Sequence, residues 1–141
     1  MPTHCFTYGS LMCEDIMAAV CGLPAISLVA RPALLRGFVR HPVRGEAYPG
    51  IVVAPSLAVE GRVYLDLPAS VWPRLDSFEG EAYERLPVRV APVQGPEVAA
   101  ETYVFRSQFA HLLGEGNWDF EEFRRHGKAR FTAQYLGFTR L

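Results

Sequence analysis

Leu75-Asp76-Ser77-Phe78-Glu79-Gly80-Glu81-Ala82-Tyr83-Glu84-Arg85 is the stretch on which the fold turns. Leu75 and Phe78 stand three apart, the spacing of the buried stripe of a helix. Gly80 supplies a residue that takes positive φ freely, so the helix stops there. Tyr83, Leu86, Val88 and Val90 follow at a spacing near two, a strand pattern interrupted once by Pro87. Glu79 therefore falls at the joint of helix and strand, beside an aromatic and a glycine. A carboxylate held there by fixed backbone and partly hidden from water has its pKa raised toward that of a working acid or base. Taken alone, the same pattern also describes an ordinary solvated glutamate at a helix end.

Working back toward the N-terminus, a short strand from His4 to Tyr8 runs into Gly9-Ser10-Leu11 and then into a helical pattern. Strand, small-residue turn and helix start together present successive backbone N–H groups to an anion. Ser10 also fits a plain helix cap. Cys13 to Cys21 carries Ile16, Met17 and Val20 at helical spacing, and Gly22 with Pro24 ends it. Residues 33–43 are β-prone, with Gly37 marking a bulge or bend. Tyr48-Pro49-Gly50 reads as a turn that also suits a cavity wall, and a short apolar run from Ile51 to Ala54 follows. Val59, Gly61, Val63 and Leu65 alternate with Glu60, Arg62, Tyr64 and Asp66, the clearest half-buried strand in the chain.

Pro68 and Ser70 open the helix that delivers Glu79, with Ser70 as N-cap and Pro73 in the first turn, where a missing N–H costs little. Beyond the strand from Tyr83 to Val93, Gln94-Gly95-Pro96-Glu97 reads as a hairpin loop, and Val98 to Arg106 as the returning partner. Five or six strands paired by hairpins, with sparse helices, give an α+β fold of barrel type. The segment 117–141 is aromatic, with Trp118, Phe120, Phe123, Phe131, Tyr135 and Phe138. It reads as one helix capped by Asn117 and stopped at Gly127, then a second from about Lys128 to Leu136, packed on the barrel as core. With 141 residues and no linker or repeat, the whole chain reads as one domain.

The two motifs Tyr8-Gly9-Ser10-Leu11 and Leu75-Asp76-Ser77-Phe78-Glu79-Gly80, with Tyr83 and Arg85 behind the second, resemble the γ-glutamylcyclotransferase-like superfamily, nearest its AIG2-like branch. The resemblance implies a small, largely antiparallel β-barrel with a few flanking helices and a cavity between the first motif and the glutamate. It implies further that the backbone of Tyr8, Gly9, Ser10 and Leu11 binds substrate and that Glu79 is the acid/base. On that reading a small γ-glutamyl amine or amide cyclises to 5-oxoproline and releases its amine. Members acting on free γ-glutamyl amino acids carry an Asn between Ser and Leu of the first motif, and this chain has none. Members acting on γ-glutamyl-lysine crosslinks carry Lys-Arg-Gly after that motif, where Met12-Cys13-Glu14 stands here. The leaving group is thus open. So are two other readings: a non-catalytic binding module with the same cavity, and transfer on an unusual acyl substrate.

Composition narrows the remaining classes. A formal net charge of −1 lacks the basic excess that nucleic acid or an anionic membrane attracts. Arg124 and Arg125 follow Glu121 and Glu122 on what reads as a solvated helix face. Cys5, Cys13 and Cys21 are odd in number and eight apart, matching neither a zinc knuckle nor a redox pair, so free thiols in a cytoplasmic setting are expected. No secretory leader or apolar run of about 18 residues is visible. The histidines at 4, 41, 111 and 126 are not at ligand spacing, Ser10 lacks a nucleophile elbow, and no metal or organic cofactor is expected. The expected partner is a small γ-glutamyl molecule; oligomeric state cannot be read. Glu81, past the glycine turn, is the competing carboxylate.

Overall fold

The computed structural model describes residues 3–133, and in that span the chain forms a closed five-stranded barrel flanked by helices, an α+β architecture. Strand β1 (Thr3–Thr7) leads through a 3-10 turn (Ser10–Met12) into helix α1 (Glu14–Cys21). Two long strands follow, β2 (Val29–Pro42) and β3 (Pro49–Leu67), then helix α2 (Val71–Glu79) and the hairpin of β4 (Tyr83–Pro92) and β5 (Val98–Phe105). A 3-10 stretch (Ser107–Leu112) and a continuous helical run finish it: α3 (Phe120–Glu122), a π-helical turn (Phe123–Gly127) and α4 (Lys128–Phe131). The strand order around the barrel is β1-β3-β2-β4-β5, antiparallel except where β5 closes on β1 through Cys5 and Glu101. No described helix is long and apolar enough to cross a membrane.

Period-two alternation divides the apolar side chains into two layers. Phe6, Ile51, Val63, Val90 and Val104 form one buried cluster inside the barrel. Residues of the opposite phase, Cys5, Tyr64, Tyr103 and Phe105, face outward and are covered by α1, α2 and the C-terminal helical run. The covering helices contribute Ile16, Met17, Trp72, Leu75 and Phe123. β1 lies so close to β3 that a Cβ on Gly61 would collide with the Thr7 carbonyl and the Phe6 ring. Only glycine fits at that crossing.

Several local readings hold and several need correction. Gly37 does bend β2: it sits at φ +89, and the register jumps from Arg36 opposite Ala58 to Phe38 opposite Val53. The two runs read as separate, 51–54 and 59–66, are one strand, because that jump carries β3 past the irregularity without ending it. β2 starts earlier than expected, at Val29. Ser70 precedes α2 but makes no side-chain cap bond, its backbone being already helical (φ −63, ψ −12). Asn117 is not the cap of the last helical run either. Asp119 is, accepting the Glu122 amide at 3.1 Å, while Asn117 accepts from Arg40 Nε at 3.1 Å. Gly127 does not stop the helix, which widens to a π turn and continues into α4. Tyr135 and Phe138, read as tail aromatics, lie outside the described residues.

Candidate active site

The backbone of the loop that leaves β1 is held through its carbonyls. Tyr8 O accepts from Arg40 Nη1 at 2.8 Å, Gly9 O from the Met12 amide at 3.0 Å, and Ser10 O from the Cys13 amide at 3.1 Å. Leu11 O accepts from the Tyr64 hydroxyl at 2.7 Å and Met12 O from Arg62 Nη1 at 2.8 Å. The amides of Gly9, Ser10 and Leu11 have no acceptor among the described residues, as the first N–H groups of a helical turn do not. These residues border a cavity that, with its open mouth, holds about 580 Å³ of empty space. Gly9 has a negative φ, −134, so no left-handed backbone calls for glycine there. Space does: a Cβ would lie 2.8 Å from the Pro49 ring.

Across the cavity stands Glu79. Helix α2 buries Val71, Trp72 and Leu75 and ends where the Gly80 amide returns to Asp76 O at 3.1 Å, with Gly80 at φ +81 as the sequence suggests. The last helical residue is thereby aimed at the Tyr8–Leu11 loop. Glu79 as a residue keeps part of its surface in water, yet its carboxyl is packed round by protein. Among the described residues no cation or hydrogen-bond donor engages that carboxyl. Burial alone therefore acts on it and lifts its pKa from 4.5 to about 8.

The floor and walls are largely aromatic, and three of the tyrosine hydroxyl protons are already committed. Tyr8 donates to Tyr103 O at 2.6 Å, Tyr83 to Pro49 O at 2.7 Å, and Tyr103 to Asp76 Oδ1 at 2.6 Å. Burial pushes the Tyr8 and Tyr103 hydroxyls up, so neither ionises near neutral pH. Burial brings the Glu79 carboxyl, by contrast, into that range. No lysine, arginine or histidine lines the cavity among the described residues. Among the described residues no hydrogen bond engages the Ser10 hydroxyl.

All five residues singled out in the sequence, Tyr8, Gly9, Ser10, Leu11 and Glu79, border this one cavity. Tyr83, Tyr48 and Pro49 line it too, whereas Arg85 does not. Arg85 stacks over Trp72 at 4.6 Å and lies 3.6 Å from Asp76 Oδ1 and 3.4 Å from Glu101 Oε1. Glu81 is exposed outside the cavity, and its carbonyl accepts from Arg106 Nε at 2.9 Å. Phe6, Tyr103 and Phe131 were missed by sequence reasoning. The first two look like any alternating strand residue, and Phe131 reads only as core. No group of three or more His, Cys, Asp or Glu side chains converges among the described residues.

A closed five-stranded barrel with flanking helices is the γ-glutamylcyclotransferase-like fold. Its likeness to a solved gamma-glutamyl cyclotransferase has a TM-score of 0.64 over 75% of this chain and 68% of that one, at 20% identity, and concerns the fold alone. The chain belongs to the family described as gamma-glutamyl cyclotransferase, AIG2-like, whose model matches residues 5–120. Protein AIG2 C of Arabidopsis thaliana is 34% identical over 120 residues, 84% of this chain and 70% of that protein. Another Arabidopsis thaliana protein, solved in solution, superposes with a TM-score of 0.72 at 28% identity, covering 99% of this chain and 82% of that one.

Proposed function

We propose that this protein cyclises the γ-glutamyl group of a small γ-glutamyl amine or amide to 5-oxoproline, releasing the amine. The observation that carries the reading is a buried carboxyl of pKa about 8 sharing a cavity with three amides that have no acceptor among the described residues. The substrate brings its own nucleophile, the α-amine, so the site must fold it into ring geometry and move protons. The amides of Gly9, Ser10 and Leu11 hold the α-carboxylate or polarise the γ-carbonyl. Glu79 takes a proton from the attacking nitrogen as the ring C–N bond forms. It returns that proton to the leaving nitrogen as the old C–N bond breaks, and a pKa near 8 suits both steps. Water takes no part in the balance. Family membership supports the same chemistry.

The test is a mass-spectrometric screen of γ-glutamyl amines, γ-glutamyl amino acids and glutathione. 5-oxoproline from at least one of them is the expected result. Its absence from all would sink the proposal.

A further inference from the structure

The cavity has two dissimilar halves. Its interior is bounded by the loop amides and by Phe6, Tyr8 and Tyr103, all buried. Its outer part is bounded by Tyr48, Phe78 and Glu79, which are half-buried, and by Phe131, which is itself buried and joins this part through its contacts with Tyr48 and Phe78. Phe131 sits edge-on to both rim rings, 6.2 Å from Tyr48 and 5.9 Å from Phe78, and 5.7 Å from Phe123 behind it. Phe131 thus links Tyr48 and Phe78 into an aromatic arc on the cavity that Glu79 also lines, and Phe78 is the chain neighbour of Glu79. Pairs at these separations prefer apolar or aromatic company.

Resting on the cyclotransfer reading, we infer that this arc receives the substituent of the departing amine and selects one that is apolar or aromatic and carries no carboxylate. The direction follows from the chemistry. The γ-glutamyl part must lie inward, where the amides are. The leaving nitrogen must reach Glu79 to be protonated, so whatever it bears continues outward past Glu79, against Phe78, Phe131 and Tyr48. An apolar body there leaves water for a ring-lined wall, a favourable transfer. An amino acid or a dipeptide would instead bring its carboxylate against aromatic rings, where the described wall offers no cation, and a charge desolvated without a partner is strongly disfavoured. The glutamyl carboxylate escapes this penalty because it meets the loop amides. Atoms balance as before: one C–N bond forms, one breaks, and the amine leaves with the proton the α-amine gave up.

The experiment compares γ-glutamylbenzylamide with γ-glutamylglycine and glutathione, following 5-oxoproline from each. The wild-type kcat/KM should favour the benzylamide by on the order of 10-fold or more, most of it in KM. Phe78→Ala should shrink that ratio through the benzylamide KM, and Phe78→Arg, which sets a cation at the rim, should raise the γ-glutamylglycine kcat/KM relative to the benzylamide. An equal or higher wild-type kcat/KM for γ-glutamylglycine or glutathione overturns the inference while leaving cyclotransfer standing. A ratio unchanged in a folded Phe78→Ala also overturns it. No 5-oxoproline from any of the three removes the inference together with the cyclotransfer reading.

Discussion

Replacing Glu79 by glutamine separates the carboxyl's ionisation from its shape, and the consequence is readable in stability before any substrate is added. Burial lifts the Glu79 pKa from 4.5 to about 8, so the folded chain holds this proton more tightly than the unfolded one. Stability is therefore unaffected below about pH 4.5, declines as pH rises from there to about 8, and levels off beyond, when the buried group is ionised in both states. At about 1.36 kcal/mol for each pH unit, the loss has a ceiling of about 5 kcal/mol. Part of Glu79 stays in water, which screens the charge, and about half the ceiling, ~2–3 kcal/mol, is the expected size. For a chain of this length that is roughly 10 °C in Tm. Glutamine has no proton to lose. Thermal unfolding of both proteins at pH 5 and pH 9 should show wild type falling by that amount relative to Glu79→Gln. Other titrating groups are common to both and largely cancel in the double difference. Equal pH dependence in the two proteins would refute the claim that this carboxyl is desolvated in the fold.

The same substitution should lower kcat by about 10²-fold or more with 5-oxoproline as readout, while Glu81→Gln stays near wild type. The acid limb of wild-type kcat/KM should lie near pH 8 and that of kcat lower, because a bound substrate ammonium favours the ionised carboxyl; a pH–rate profile checks both. Ser10→Ala keeps every loop amide and should weaken substrate binding by no more than ~1.5 kcal/mol, whereas Gly9→Val meets the Pro49 ring and should abolish turnover in a folded protein. If Ser10→Ala were as dead as Gly9→Val, the hydroxyl would have to be given a chemical role. Arg40→Ala removes the donor to Tyr8 O, Glu60 O and Asn117 Oδ1 and should cost about 1–3 kcal/mol in denaturant unfolding while raising KM more than it lowers kcat.

Much of the architecture is legible because its signals are local. The alternation of Val59 to Asp66, the loop at Gln94 to Glu97 and the glycines at 22, 37 and 80 each act within a few residues, and each lies where its chemistry puts it. The illegible parts depend on partners far along the chain. Asn117 has the right side chain for a cap, but Arg40, 77 residues away, takes its oxygen. β3 looked like two strands because its irregular middle, residues 54–57, has no period, and only the facing Gly37 shows that pairing resumes. For the cavity, Tyr8 to Leu11 and Glu79 stand out as motifs, whereas Tyr103 and Phe131 become lining only once β5 and the last helix are folded against them.

Phe131 has a consequence for how this cavity can be altered. The shared family match ends at residue 120, so this wall of the cavity is built by chain beyond it. The loop and the carboxyl lie inside the common segment. On the proposed function, Glu79, Tyr48 and Phe78 lie inside the matched segment and Phe131 beyond it, so substitution at Phe131 alters one part of the rim without touching the carboxyl. Grafting a different terminal helix onto this barrel is the corresponding route to altered substrate range, with relative kcat/KM across a series of amides as its measure.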